Sequence, residues 1–111
     1  MRIRNVLKEF EAHLKPAKPG VKINGKSEWK QYADGTYRFK ISIRNIDLAD
    51  GSRVDVLIDG TRAMQLTVQD NKARANLESP TQVEIPKVQA SQVLRVAYEN
   101  RVLAEGKYEA E

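Results

Sequence analysis

A chain of 111 residues, 41% hydrophobic and 31% charged, has the composition of one soluble globular domain, with room for one core and not two. It contains no cysteine, which excludes disulfides, thiolate catalysis and cysteine-based metal sites. No apolar run approaches the length of a membrane span, and no apolar stretch follows the basic residues of the first ten positions. The expectation is a single domain over residues 1–111, cytoplasmic and without membrane contact, with residues 1–6 and 109–111 as loose ends.

The net charge of +4 is unevenly spread. Residues 1–44 carry 11 Lys/Arg against 4 Asp/Glu, whereas residues 45–111 carry 8 against 11. Such asymmetry fits a basic face that could meet an anionic partner, and it fits equally a solvated surface.

Taken in chain order, residues 2–15 are ambiguous. Ile3, Val6, Leu7, Phe10 and Leu14 fall at helical spacing, while Phe10, Ala12 and Leu14 also alternate with Glu11, His13 and Lys15. A strand from Leu7 to Leu14 agrees better with the β character of the remainder. Pro16 and Pro19-Gly20 end it. Asn24-Gly25 reads as a turn, and Ser27 to Tyr32 as a strand leading to Asp34-Gly35. Thr36 to Asn45 is the clearest strand. Tyr37, Phe39, Ile41 and Ile43 share one parity, and Arg38, Lys40, Ser42 and Arg44 the other, as in an antiparallel sheet with one wet side.

The stretch Leu48–Gln69 organises the chain. Val54, Val56 and Ile58 alternate with polar neighbours, Asp59-Gly60 turns, and Met64, Leu66 and Val68 resume the period. Period-two patterning around an Asp-Gly predicts a β-hairpin, because the turn needs positive φ. Asp70-Asn71 predicts another turn, followed by Ala73, Ala75 and Leu77 alternating with Arg74, Asn76 and Glu78. Val83 to Ile85 would be a short strand limited by Pro86. Val93 to Glu99 and Val102 to Tyr108 form the last predicted pair, joined at Asn100-Arg101, and Glu109–Glu111 is expected to be a loose tail. This punctuation predicts an all-β, antiparallel, Ig-like β-sandwich of seven or eight short strands, with a small barrel as the other possibility. Its expected core is Tyr37, Phe39, Ile41, Val54, Val56, Ile58, Leu66, Leu77, Leu94 and Val96.

The runs D-G-S-R-V-D-V-L-I-D-G-T, V-E-I-P-K-V-Q-A-S-Q-V-L-R-V and V-L-A-E-G-K-Y resemble a short β-rich module found in uncharacterised bacterial proteins. Asp50-Gly51, Asp59-Gly60, Ile85-Pro86, and Leu103 through Gly106 to Tyr108 carry the likeness. It extends from Tyr37 onward, with a further match over Phe10–Leu14. The resemblance implies an all-β fold, a strand at Phe10–Leu14 and no known activity. The family places glycines near the positions of Lys72 and Ser91, where this chain has none, which leaves those two turns open.

The chemistry of the side chains points away from catalysis. His13 is the single histidine, and a zinc site would need an unusual set of carboxylate partners around it. Asp47, Asp50, Asp55 and Asp59 could be weighed as calcium ligands, but their spacing is not that of an EF-hand, and Asp50 and Asp59 already have reason to exist as turn residues. Nothing in the sequence sets Glu78 and Glu84 across a cleft. There is no nucleophile elbow, phosphate loop or dinucleotide fingerprint. No enzyme activity, cofactor or metal is expected.

What remains is a binding or interaction module. A protein partner met through a sheet face or edge is the first expectation. The second is an anionic polymer, single-stranded nucleic acid or acidic polysaccharide, bound on a basic face. Its candidate residues are Lys22, Lys26, Trp29, Lys30, Tyr32, Arg38, Lys40 and Arg44. The competing reading is that Trp29 belongs to the core and the cations are the solvated side of a sheet.

Overall fold

The computed structural model describes residues 5–79 and 87–110. All of its regular structure is β: β1 (Val6–Pro16), β2 (Asn24–Tyr32), β3 (Tyr37–Arg44), β4 (Arg53–Ile58), β5 (Thr61–Thr67), β6 (Ala73–Glu78), β7 (Val93–Tyr98), β8 (Arg101–Lys107) and β9 (Glu109–Ala110). The expected strand at Val83–Ile85 lies outside the described residues.

The strands form one continuous antiparallel path, β5-β4-β7-β8-β1-β2-β3-β6, with β9 also paired to β1. The path curls on itself until its two ends, β5 and β6, approach each other, giving a barrel-like form. The links β3 to β4, β5 to β6 and β6 to β7 each cross from one half of the path to the other. That crossing interlocks the β3–β6 pair with the β4–β7 pair in the manner of a Greek key.

β1 joins the halves. It pairs with β2 from Val6 to Leu14, then hands over to β8 at Lys15 and Pro16. Two glycines make the handover possible. Gly25 lies inside β2, opposite Leu14, and a Cβ there would sit 2.5 Å from the Ser42 carbonyl oxygen. A Cβ on Gly106 of β8 would collide with the His13 carbonyl of β1. Asn24-Gly25 is therefore not the expected turn: the glycine is required by close backbone approach within a strand.

Turn chemistry accounts for the other connections. Asp59 and Gly60 take φ of 51° and 82°, and Asp70 and Asn71 take 52° and 62°. Positive φ at both central positions matches the right-handed twist of flanking strands. Glu99 and Asn100 do the same, so the last tight turn sits one residue earlier than the pattern predicts. The glycine-free position at Ser91 adopts a φ of 74°. Glu109 and Ala110, expected in a loose tail, pair with Glu11 and Phe10 of β1, and Glu111 lies outside the described residues.

The interior is built by alternation. Phe39, Ile41 and Ile43 of β3 face Val54 and Val56 of β4 and Leu94 and Val96 of β7 in one buried cluster. Each such side chain contributes about 2 kcal/mol through removal from water. Tyr37 and Leu77, expected in the core, are half-buried against it. Bulges opposite Val56/Leu57 and Val96/Ala97 each place one extra residue on the partner strand, Ala63 in β5 and Leu103 in β8. On β7 Val96 and Ala97 are both buried, and Tyr98 packs half-buried against the core. Ile23, Ile46, Val88 and Tyr108 complete the core from outside or beside the strands. No helix among the described residues is long and apolar enough to cross a membrane.

Candidate functional site

The outer face of β1, β2, β3 and β6 is set by register. Four transverse rows of outward side chains follow from the pairings. The first is Glu9, Lys30, Arg38 and Glu78, and the second is Glu11, Glu28, Lys40 and Asn76. The third is His13, Lys26, Ser42 and Arg74; beyond it come Asn24 and Arg44, with Lys15 at the end of β1.

These rows differ in charge. Lys30 Nζ lies 3.4 Å from Glu9 and Arg38 Nε 3.7 Å from Glu78, so the first row balances itself across four strands. In the second and third rows Lys26 bridges two facing carboxylates, 2.9 Å from Glu28 and 3.2 Å from Glu11. Glu28 first, then Glu11, raises the Lys26 ammonium above its ordinary value. His13 Nε2 completes this group 2.9 Å from Glu11. By contrast, Lys15, Lys40, Arg44 and Arg74 are exposed, and none makes an ion pair among the described residues.

The uncompensated end of this face carries a depression. An open trough of about 1200 Å³ runs over it, with a floor formed by the backbone of β1, β2, β3 and β6 at Leu14, Gly25, Ile41 and Ala75. Lys15, Lys26, Lys40, Arg44 and Arg74 line it against a single carboxylate, Glu28. Asn24, Ser42 and Asn76 add neutral hydrogen-bonding groups between the cations.

The residues expected from the sequence divide accordingly. Lys26, Lys40 and Arg44 line the trough. Lys30 and Arg38 share the face but belong to the balanced row. Lys22 is exposed in the segment before β2, where its carbonyl accepts a hydrogen bond from Asn45 Nδ2 at 3.2 Å. Trp29 and Tyr32 require correction as surface stacking groups. Trp29 is 5% and Tyr32 7% exposed, and both belong to the interior. Trp29 stacks on Phe10 at a ring separation of 5.5 Å and tilts against Tyr37 at 5.7 Å. Parity carried the signal for Trp29, which is odd where Lys26, Glu28 and Lys30 are even, but not for Tyr32, which shares their parity and is buried at the end of β2. Sequence reasoning missed Arg74 because the pairing of β6 with β3 is a long-range fact with no local signature, and Lys15 because the place of β1 beside β2 is equally non-local.

The acidic residues of the central hairpin are engaged structurally. Asp50 Oδ1 accepts a hydrogen bond from the Asp70 amide at 2.9 Å, and Asp59 Oδ1 accepts one from the Val93 amide at 2.8 Å. Asp55 Oδ1 accepts from Gln65 Nε2 at 3.0 Å. No group of three or more metal-ligating side chains occurs among the described residues. No family model matches the chain, and no curated protein matches it.

Proposed function

We propose that this chain is a non-catalytic binding module that takes an anionic polymer on the outer face of β1, β2, β3 and β6. One observation carries the reading: among the described residues five Lys/Arg side chains and one carboxylate line the trough, and four of those cations, Lys15, Lys40, Arg44 and Arg74, make no ion pair, while the row beside it is neutralised. A solvated face with no further role has no need to segregate its charge in this way. The low-dielectric floor strengthens the field of the cations, and neutralising them with a polyanion releases the polymer's counterions.

A protein partner docking through an edge or an apolar face has less support. The free edge of β6 presents Arg74, Asn76 and Glu78 on its outward side, the charged pattern that discourages strand addition. Val6, Leu7 and Val21 are the exposed large hydrophobics among the described residues, and Val6 and Leu7 sit at the irregular end of the β1–β2 pairing. A catalytic reading fares no better, because the trough is open and its one lining carboxylate is tied to Lys26.

The test is an NMR titration of labelled protein with heparin and with a short single-stranded oligonucleotide at low and moderate salt. Amide shifts confined to residues around Lys15, Asn24–Lys26, Lys40–Arg44 and Arg74, reversed by added salt, are expected. Absence of shifts with every polyanion, or shifts elsewhere on the surface, would overturn the reading.

A further inference from the structure

Resting on that anionic-polymer reading, we infer that the polymer is a single chain of acidic polysaccharide, bearing carboxylate or sulfate groups, and not a nucleic acid. Three features of the trough point there. The first is the absence of a stacking platform. Proteins that hold single-stranded nucleic acid set aromatic faces beside their cations, and each stacked base adds substantially to affinity. The only ring on the trough is the imidazole of His13. Trp29 and Tyr32, the aromatics nearest in sequence, are turned into the core.

The second feature is width. The trough crosses four strands, which at the usual spacing is about 14 Å from β1 to β6. A duplex whose major groove alone is about 12 Å wide rests on such a surface through one strand only. A single extended chain fits within it.

The third is the neutral groups. Asn24, Ser42 and Asn76 lie in the same rows as Arg44, Arg74 and Lys40 respectively. Amide and hydroxyl groups both donate and accept, as sugar hydroxyls require. Along β3, Lys40 and Arg44 are four residues apart on one face, about 13 Å, with Ser42 midway. A chain that alternates acidic groups with hydroxyls matches that order.

The experiment is isothermal titration of the full chain at two salt concentrations with four probes of matched charge: a heparin oligosaccharide, an oligogalacturonate, a single-stranded oligothymidylate and a short duplex. At least one saccharide is expected to bind tenfold or more tighter than either nucleic acid. Oligogalacturonate in the lead assigns carboxylate recognition, and heparin in the lead assigns sulfate recognition. Arg44→Glu and Arg74→Glu should each weaken saccharide binding about tenfold, and Lys30→Gln should change it less than about twofold. A double variant, Asn24→Ala with Ser42→Ala, should lower saccharide affinity several-fold and oligothymidylate affinity by less. Asn24, Ser42, Arg44 and Arg74 are exposed and Lys30 is half-buried, and thermal unfolding of each variant confirms folding. Nucleic acid binding as tightly as both saccharides overturns the inference while leaving the anionic-polymer reading in place. Failure of all four probes to bind overturns both.

Discussion

The Ser27 hydroxyl and the Tyr108 hydroxyl meet at 2.7 Å in the buried interior, across 81 residues of sequence. Ser27 is on β2. The Tyr108 backbone is fixed to the segment before β7, where its amide donates to the Gln92 carbonyl and its own carbonyl accepts from the Ser91 amide. One tyrosine therefore ties the two halves of the strand path together through the core. Both residues have almost no exposed surface, so neither hydroxyl has water as a substitute partner.

The first prediction follows from that pair. Tyr108→Phe leaves the Ser27 hydroxyl buried without its partner and should cost about 1–3 kcal/mol. Adding Ser27→Ala to it should recover part of the loss, because an apolar pair leaves nothing unsatisfied. Urea unfolding of the two single variants and the double variant gives the coupling. An additive result would show that the hydrogen bond contributes nothing.

The same burial makes stability fall at alkaline pH. Loss of solvent pushes the Tyr108 phenol from its usual value near 10 up to about 12, with the Ser27 hydrogen bond acting weakly the other way. The unfolded chain therefore releases this proton at lower pH than the folded one. Full stability is kept below pH 10 and is lost progressively between about pH 10 and 12, by about 3 kcal/mol at most. Tyr108→Phe removes this loss. The stability difference between wild type and Tyr108→Phe should shrink as pH rises through that window, in urea melts stepped from pH 9 to 12. A difference independent of pH would contradict the assignment.

Gly25 and Gly106 should tolerate no side chain. Gly25→Ala pushes a methyl group against the Ser42 carbonyl and into the Leu14 side chain, and Gly106→Ala pushes one into the His13 backbone. Neither contact involves the far end of a flexible chain for its closest atom, so a strand has to move. A loss of about 2–4 kcal/mol is expected at each, with Gly106→Ala the larger. Gly35→Ala is the control: its Cβ meets open space, and the cost there is conformational only, about 1 kcal/mol. Thermal melts that rank Gly35→Ala as the most damaging would refute the account of β1 as the joint between the halves.

Ser91 offers a change in the opposite direction. Its φ of 74° is costly for a residue with a Cβ and free of strain for glycine. Ser91→Gly should stabilise the fold by about 0.5–1 kcal/mol, after the extra freedom of glycine in the unfolded chain is subtracted. The serine hydroxyl makes no hydrogen bond among the described residues that the substitution would sacrifice. A lowered urea midpoint would show that the side chain does something the backbone geometry does not reveal.

Much of this fold is legible locally, and the reasons it stops being legible are physical. The β4–β5 hairpin is visible because Asp59-Gly60 and its flanking alternation act within a dozen residues. β3 is visible because its two faces have opposite polarity. Gly25 misleads because Asn-Gly signals a turn on local grounds, while the carbonyl that demands a glycine belongs to β3. The extra residues Ala63 of β5 and Leu103 of β8 are not legible, because a bulge is decided by both strands of a pair. Glu109 and Ala110 have no patterning of their own and are ordered by β1, which lies almost a hundred residues earlier. The site shows the same division. The cations of β3 share a face by period two, which sequence supplies. That Lys30 and Arg38 are neutralised and Arg74 completes the trough depends on Glu9, Glu78 and β6 arriving beside them.

Glu28 provides a prediction of gain. It is the one carboxylate on the trough, faces Glu11 across β1 and β2, and holds Lys26 at 2.9 Å. Glu28→Gln removes a negative charge from the face while keeping the shape of the side chain. It also relieves the like-charge pairing of Glu11 with Glu28, leaving Lys26 to Glu11 alone. A polyanion should then bind about three- to tenfold tighter at low salt, and the gain should fade as salt screens the face. Elution from immobilised heparin should move to higher salt. Glu9→Gln is the counterpart in the balanced row. It frees Lys30 outside the trough and should shift elution much less, by an amount set by net charge alone. Equal shifts for the two variants would mean that the surface responds to total charge and that the trough has no special role.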